Sequence, residues 1–326
     1  MKLGTLPGPT PDGRLVIVSR DLTRAVAADD VAPTMLSAIE GWPDVAPSLL
    51  GRFDQLESGT IASSTDFDPS ACLAPLPRAP QWLDGSVFQT HLALMAKALH
   101  PDKPHEPSEF PFIYQGASDD LRSATDPITG FRFDEGIDFE GEFGVIVDRV
   151  PMRVSPADAI SLVRLIVLIN DVSLRAYAGR EIAIGFGFLN AKPSTAFAPV
   201  AVTPDELGVA WRGGRVHLPL RVERSGEWFG HPHGREMTFN FGELIAHAAR
   251  TRRLTAGTIV GSGTVSNADR SVGSACIAER RAIETIDGGS PSTPFLGDGE
   301  VVPMEVVDDD GMSVFGAVRQ PVIVGH

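Results

Sequence analysis

The sequence predicts a mainly β, α+β protein: a β-rich sandwich or roll preceded by a small N-terminal unit. Three observations carry this. Short apolar runs punctuated by glycine and proline dominate the chain beyond residue 140. Helical periodicity is confined to a few segments. An aperiodic stretch rich in Pro, Ser and Ala, Glu57 to Trp82, separates a compact first part from the rest. A chain of 326 residues suits about two domains, read here as a small N-terminal domain with its linker over 1–79 and a second domain over 80–326.

In chain order, Lys2–Leu6 and Leu15–Ser19 read as strands joined by the turn-rich PGPTPDGR. Two amphipathic helices follow at about Pro33–Glu40 and Val45–Gln55, broken at Gly41-Trp42-Pro43. The second domain offers helices at Val87–Leu99, at a short segment opened by Ser155-Pro156, and at Asn240–Arg250. Ser155 can cap and Pro156 suits the first helical position. Strands are expected at Gly144–Asp148, Leu165–Asp171, Ala196–Val202, Val216–Arg224, Thr258–Gly261, Ala282–Ile286, Val301–Val307 and Ser313–Val318.

Hydrophobic residues make up 43% and charged residues 21% of the chain, and the net charge is -14. An acidic surface repels nucleic acid and anionic membranes, so neither is expected as a partner. The two cysteines, Cys72 and Cys276, form no disulfide framework, and a reduced, cytoplasmic setting is expected. The opening MKLGTLPGPTPDG has no apolar segment of the signal-peptide kind.

The most informative stretch is Asp138-Phe139-Glu140-Gly141-Glu142-Phe143. In a strand, Glu140 and Glu142 share one face while Phe139 and Phe143 share the other. Two like charges on one face suit a solvated edge or a hard divalent cation, which takes oxygen ligands. Asp171 closes the apolar run LVRLIVLIN, a place for a site residue or for a turn-former. If the chain stays extended there, Asp171, Ser173 and Arg175 converge, an arrangement that suits a metal beside an anion. Asp84 precedes His91, which can serve as a base or as a structural histidine. His231 and His233 sit in a Gly- and Pro-rich turn that reads as surface loop. Met35 and Met95 read as core or interface packing.

Several ordered motifs together resemble the fumarylacetoacetate hydrolase family over roughly residues 80 to 320. They are Asp84 with His91, PFIYQG from Pro111, DFEGE from Asp138, NDVSLR from Asn170, GFLNAKPSTAFAP around Lys192, GSGTVSN from Gly261 and FLGDGE from Phe295. The resemblance implies a mixed β-sandwich roll catalytic domain behind a small N-terminal β/α domain. It implies Mg²⁺ or Ca²⁺, with Mn²⁺ also accepted, on Asp84, Glu140, Glu142 and Asp171. It makes His91 the water-activating base and Glu279 its acidic partner, with Arg175 and Lys192 near the substrate oxygens and Tyr114 and Thr264 as substrate contacts. Some C–C hydrolases of the family carry a glutamine where this chain has Ala178; Gln115 is the candidate replacement donor.

The activity so implied is hydrolysis of a C–C bond in a β-diketo acid, with fumarylacetoacetate giving fumarate and acetoacetate in aromatic amino-acid catabolism. Acylpyruvate hydrolysis, oxaloacetate decarboxylation and oxo-acid isomerisation or dehydration are the alternatives within the family. A non-catalytic metal- or ligand-binding protein is the alternative outside it. A homodimer is the implied assembly.

Overall fold

The computed structural model describes residues 1–102 and 106–325. The N-terminal strands β1 (Lys2–Leu6), β2 (Arg14–Val18) and β3 (Arg24–Ala27) form an antiparallel meander, edged by β4 (Thr65–Asp66). Helices α1 (Met35–Glu40) and α2 (Trp42–Glu57) cover one face of it. Thr34 and Ser37 close a reciprocal capping box at the start of α1. Pro43 lies in the first turn of α2, where its missing N–H leaves nothing unpaired. Met35, Ile39, Phe53 and Leu56 are fully buried against Leu3, Leu15 and Ile17.

The remaining strands are β5 (Trp82–Ser86), β6 (Phe112–Gly116), β7 (Ile128–Phe131), β8 (Ile137–Asp138), β9 (Gly141–Val147), β10 (Val163–Asn170), β11 (Ser173–Leu174), β12 (Ala196–Phe197) and β13 (Val200–Val202). They continue through β14 (Trp211–Arg212), β15 (Arg215–Val216), β16 (Leu220–Arg224), β17 (Glu227–Gly230), β18 (Ile259–Gly261), β19 (Val301–Val306) and β20 (Val318–Val324). Between them lie helices α3 (Gln89–Leu99), α4 (Pro156–Ile160), α5 (Arg175–Ile184), α6 (Phe241–Ala248) and α7 (Ile277–Gly288).

One large sheet runs β4-β3-β2-β1-β13-β10-β9-β18-β5-β6, with β12 also on β10. Its pairs are antiparallel except β18 with β5. A second sheet runs β17-β16-β19-β20-β7. One core cluster joins them through residues such as Phe143, Val145, Leu220, Val222, Met304 and Phe315. The fold is thus β-rich with helices, as the sequence predicts. Strand β9, at the heart of the large sheet, is buried along its whole length. Glu142 is therefore carried into the interior by the strand that the core needs most.

Two strand expectations are corrected, and two features come from packing alone. Glu57–Trp82, read as a linker, packs on the first unit: Ala74, Leu76 and Ala79 are buried, and Thr5 Oγ1 donates to the Pro75 carbonyl at 2.6 Å. Strand β1 also pairs with β13, so the first unit extends the large sheet. Ala282–Ile286 is not a strand but part of α7, because Ile277, Ala278 and Ala282 bury at helical spacing and the Asp138 carboxylate accepts from the Ile277 and Ala278 amides. Ser313–Val318 is not a strand of its own: Ser313 makes only an isolated bridge, Gly316 takes a φ of 75°, and Val318 already opens β20. Pairing resumes at β20, which Pro321 conceals in the sequence.

Helix α7 ends its reach in a small charged lock. Glu284 accepts from the backbone of Ser292 and from the backbone and hydroxyl of Thr293. Burial opposes the charge, but these donors outweigh it and hold the carboxyl at about 2. A group depressed on folding stabilises above its unfolded value and loses that contribution as pH falls through the folded one. Glu284→Gln is expected to cost about 1–3 kcal/mol at pH 7. In melting curves recorded against pH, the gap to the parent protein should shrink between about pH 4.5 and about pH 2.

Candidate active site and metal centre

Three backbone segments of the large sheet bring the acidic residues together. Asp84 lies on β5, opposite Tyr114 of β6 and Gly261 of β18. Glu142 lies on β9, and Asp171 follows the end of β10, its amide donating to the Glu140 carbonyl at 2.9 Å. Asp84, Glu142 and Asp171 are all buried and offer one oxygen each within 4.8 Å of one another. Glu140 stands beside this trio. Its Oε1 accepts from Arg175 at 2.6 Å and from Ser173 at 3.3 Å, and its Oε2 accepts from Lys192 at 2.9 Å.

Each remaining partner is specific. Asp171 accepts from Tyr114, Lys192 and Thr195, all at 2.6 Å. The buried Asp138 accepts from Arg175 Nε at 2.8 Å and so fixes the guanidinium over Glu140. Chain extension carries Ser173 and Arg175 toward Glu140 as the sequence suggests, although Arg175 already opens α5. Glu142 differs from all of these: both its oxygens are buried without a hydrogen-bond partner. Buried anions without partners are costly.

The electrostatics mark the same imbalance. Burial first, then the neighbouring Asp171, pushes Asp84 well above the usual carboxylate range. Burial, then Asp84 and Asp171, does the same to Glu142. Burial also opposes charge on Glu140, but Lys192 and Arg175 overcome it and hold that carboxyl low. The Lys192 ammonium, disfavoured by burial, is held charged by Asp171 and Glu140. Burial and Asp171 keep the Tyr114 phenol protonated, as its donation to Asp171 requires. Four carboxylates thus face two cations, and a divalent cation would supply the missing positive charge. Oxygen-only donors and an unpartnered Glu142 fit such an ion.

Helices α3 and α7 supply the second half of the site. His91 in the first turn of α3 meets Glu279 in the first turn of α7, Nδ1 to Oε2 at 2.8 Å. Asp138 thus holds two site elements at once, the α7 N-terminus and Arg175. His91, Asp84, Glu140, Arg175, Lys192, Tyr114 and Thr264 all line one cavity of about 510 Å³.

Two readings from the sequence change here. Gln115 lies on the opposite face of β6 from Tyr114, exposed, and accepts from Gln81 and Arg252 at 3.2 Å each. It offers no donor to the cavity. Met95 is no simple packing residue but part of the cavity wall, whereas Met35 is fully buried core. Thr195 and Asp138 were not singled out. Asp138 directly precedes the E-x-E pair, and Thr195 falls inside the Lys192 motif. His231 and His233 lie away from the site; burial and Arg235 lower His233 to about 4.

Residues 81–323 match the family model described as fumarylacetoacetate (FAA) hydrolase C-terminal. The chain belongs to the fumarylacetoacetate hydrolase family. Residues 1–78 match a second model, fumarylacetoacetase N-terminal domain 2. No curated protein matches the chain. Among solved structures, a Mycobacterium smegmatis protein provisionally named HpcE is similar at a TM-score of 0.70 and 19% identity over 100% of both chains. Maleylpyruvate hydrolase from Sphingobium sp. SYK-6, in complex with manganese(II) ion and pyruvate, gives 0.67 and 14% over 100% of both chains. A 5-carboxymethyl-2-hydroxymuconate delta-isomerase from Mycobacterium smegmatis gives 0.61 and 18% over 100% of both. At such identities these likenesses concern the fold. Among the described residues, no helix of this family member is long and apolar enough to cross a membrane.

At Gly261 the site has no room for a side chain. A Cβ there would lie 2.3 Å from Asp84 Oδ1 and 2.4 Å from the Trp82 ring. Gly261→Ala must displace the Asp84 carboxylate. We expect a loss of about 1–3 kcal/mol in stability from overpacking and at least a tenfold fall in Mn²⁺ affinity by calorimetry.

Proposed function

We propose that this protein is a divalent-metal-dependent hydrolase that cleaves a C–C bond in a β-diketo acid. The observation that carries the reading is that His91, held by Glu279, lines one cavity with Asp84, Glu140, Arg175 and Lys192, beside the buried trio Asp84, Glu142 and Asp171 in which Glu142 has no hydrogen-bond partner. Asp84, Glu142 and Asp171 would hold the ion, with Glu140 beside them. When bound, the ion (Mg²⁺, Ca²⁺ or Mn²⁺) supplies Lewis acidity and a template for the oxo-acid oxygens.

The chain's own residues do the rest. Glu279 accepts the Nδ1 proton of His91, which leaves Nε2 as the basic nitrogen. Nε2 takes a proton from water as its oxygen adds to the carbonyl carbon beside the scissile bond. Arg175 and Lys192 stabilise the developing oxyanion, worth about 3–4 kcal/mol for one well-placed donor. The C–C bond then breaks, its electron pair passes to the departing enolate, and the proton on Nε2 returns to the enolate carbon. Tyr114 and Thr264 are the proposed contacts to the rest of the substrate.

The family resemblance names fumarylacetoacetate first. An acylpyruvate hydrolase, an oxaloacetate decarboxylase or an oxo-acid isomerase or dehydratase would use the same pocket. A base such as His91 serves hydrolysis and tautomerisation alike, while decarboxylation has no use for it. A panel of fumarylacetoacetate, an acylpyruvate and oxaloacetate, run with Mn²⁺-loaded protein in ¹⁸O-water, tests the reading. Two acids released in equal amounts, one carrying ¹⁸O, is the expected result. Isomerised product or CO₂ without ¹⁸O uptake would move the reaction class. Metal binding with no turnover of any member would favour a non-catalytic binding protein. A homodimer in a cytoplasmic setting completes the proposal, the dimer being checked by sedimentation.

A further inference from the structure

We propose that the outer half of the cavity is a subsite for an apolar acyl tail, so that the substrate ends in an alkyl or aryl group and not in a second carboxylate. This rests on the hydrolase reading above and narrows its substrate class. Three elements show the same polarity gradient. Helix α3 begins at the carboxylates with His91 and continues outward on the same face with Met95 and Leu99. Helix α5 begins with Arg175 and carries Ile182 two turns on. Strand β6 places Tyr114 against Asp171 and, two residues away on the same face, Phe112. At 1.5 Å per helical residue, the apolar track extends about 10–12 Å from the reactive groups. Phe188 closes one side, its ring edge-on to Tyr114 at 5.2 Å.

The cations lie at the other end. Among the described residues lining the cavity, Arg175 and Lys192 are the permanently charged bases, and both are committed to Asp138, Glu140 and Asp171. A terminal carboxylate in the outer half would exchange water for Met95, Leu99, Phe112 and Ile182, and losing its hydration there is unfavourable. An alkyl tail gains from the same exchange. Leu99, Ile182 and Phe112 are 69%, 65% and 57% exposed, so apolar surface remains for a tail to cover.

The experiment has a turnover arm and a binding arm. In the first, Mn²⁺-loaded protein is given straight-chain 2,4-dioxo acids of increasing length, and a matched set ending in a carboxylate. The proposal expects kcat/KM to rise about fourfold per added methylene over the first few, with each carboxylate-ended member at least 100-fold below its methyl-ended match. Leu99→Lys and Ile182→Lys, both at exposed positions, should shrink that ratio at least tenfold. In the second arm, calorimetry compares 2-oxoalkanoates with 2-oxo diacids of equal length, compounds that lack the scissile bond. Tighter binding with alkyl length, but no turnover of any dioxo acid, would sink the hydrolase reading and keep the subsite. A flat length profile in both arms, or preference for the carboxylate-ended series, would overturn the subsite and leave the hydrolase reading standing.

Discussion

Replacing His91 by alanine is expected to lower kcat on a β-diketo acid by about 10²–10⁴-fold, with Mn²⁺ affinity within about threefold of the parent. The imidazole is tied to Glu279 and not to the carboxylate cluster, so its removal should spare the ion and abolish the proton transfer. His91 is a cavity residue in the first turn of α3, and alanine suits a helix, so folding should survive. Glu279→Gln should retain the ring position but remove the carboxylate that orients Nδ1, with a smaller fall in kcat than His91→Ala. Single-turnover kinetics on metal-saturated protein check both. Parent-like turnover by the alanine variant would remove His91 from the mechanism.

Glu142→Gln should have opposite effects in the two metal states. In metal-free protein, Glu142 is a buried acid with no hydrogen-bond partner, facing Asp84 and Asp171. Removing its charge relieves that repulsion, and the metal-free variant should melt above the metal-free parent. With cation present the order reverses. At a concentration 100 times the dissociation constant, binding stabilises the parent by about 2.7 kcal/mol, and the variant should lose nearly all of it. Paired melting curves in chelator and in millimolar Mn²⁺ read both effects. A variant less stable than the parent in chelator would mean that Glu142 has a structural partner instead of a missing ion.

Much of this was legible in the sequence, for reasons that differ by element. The period of 2 around Phe143 made β9 and its Glu142 readable, whereas Glu140 sits just before β9 at an isolated bridge to Cys276. Ser155 announced its helix because a cap acts within three residues. Helix α5 was missed because none of its residues is fully buried, so no apolar stripe records it. Helix α7 was misread because its decisive cap comes from Asp138, far away in sequence. Gln115 looked like a donor only while the pleat of β6 was unknown; Tyr114 takes the cavity face and Gln115 must take the other. The apolar outer cavity was equally hidden, since Met95, Ile182 and Phe112 come from three separate elements that only the fold aligns.

The central claim is that Asp84, Glu142 and Asp171 hold one divalent cation beside His91. Anomalous diffraction from crystals soaked in Mn²⁺ tests it most directly. The account predicts a single strong peak about 2.0–2.6 Å from an oxygen of each of the three carboxylates, inside the cavity that His91 lines. A peak elsewhere, or none at that position in well-ordered crystals, would contradict it.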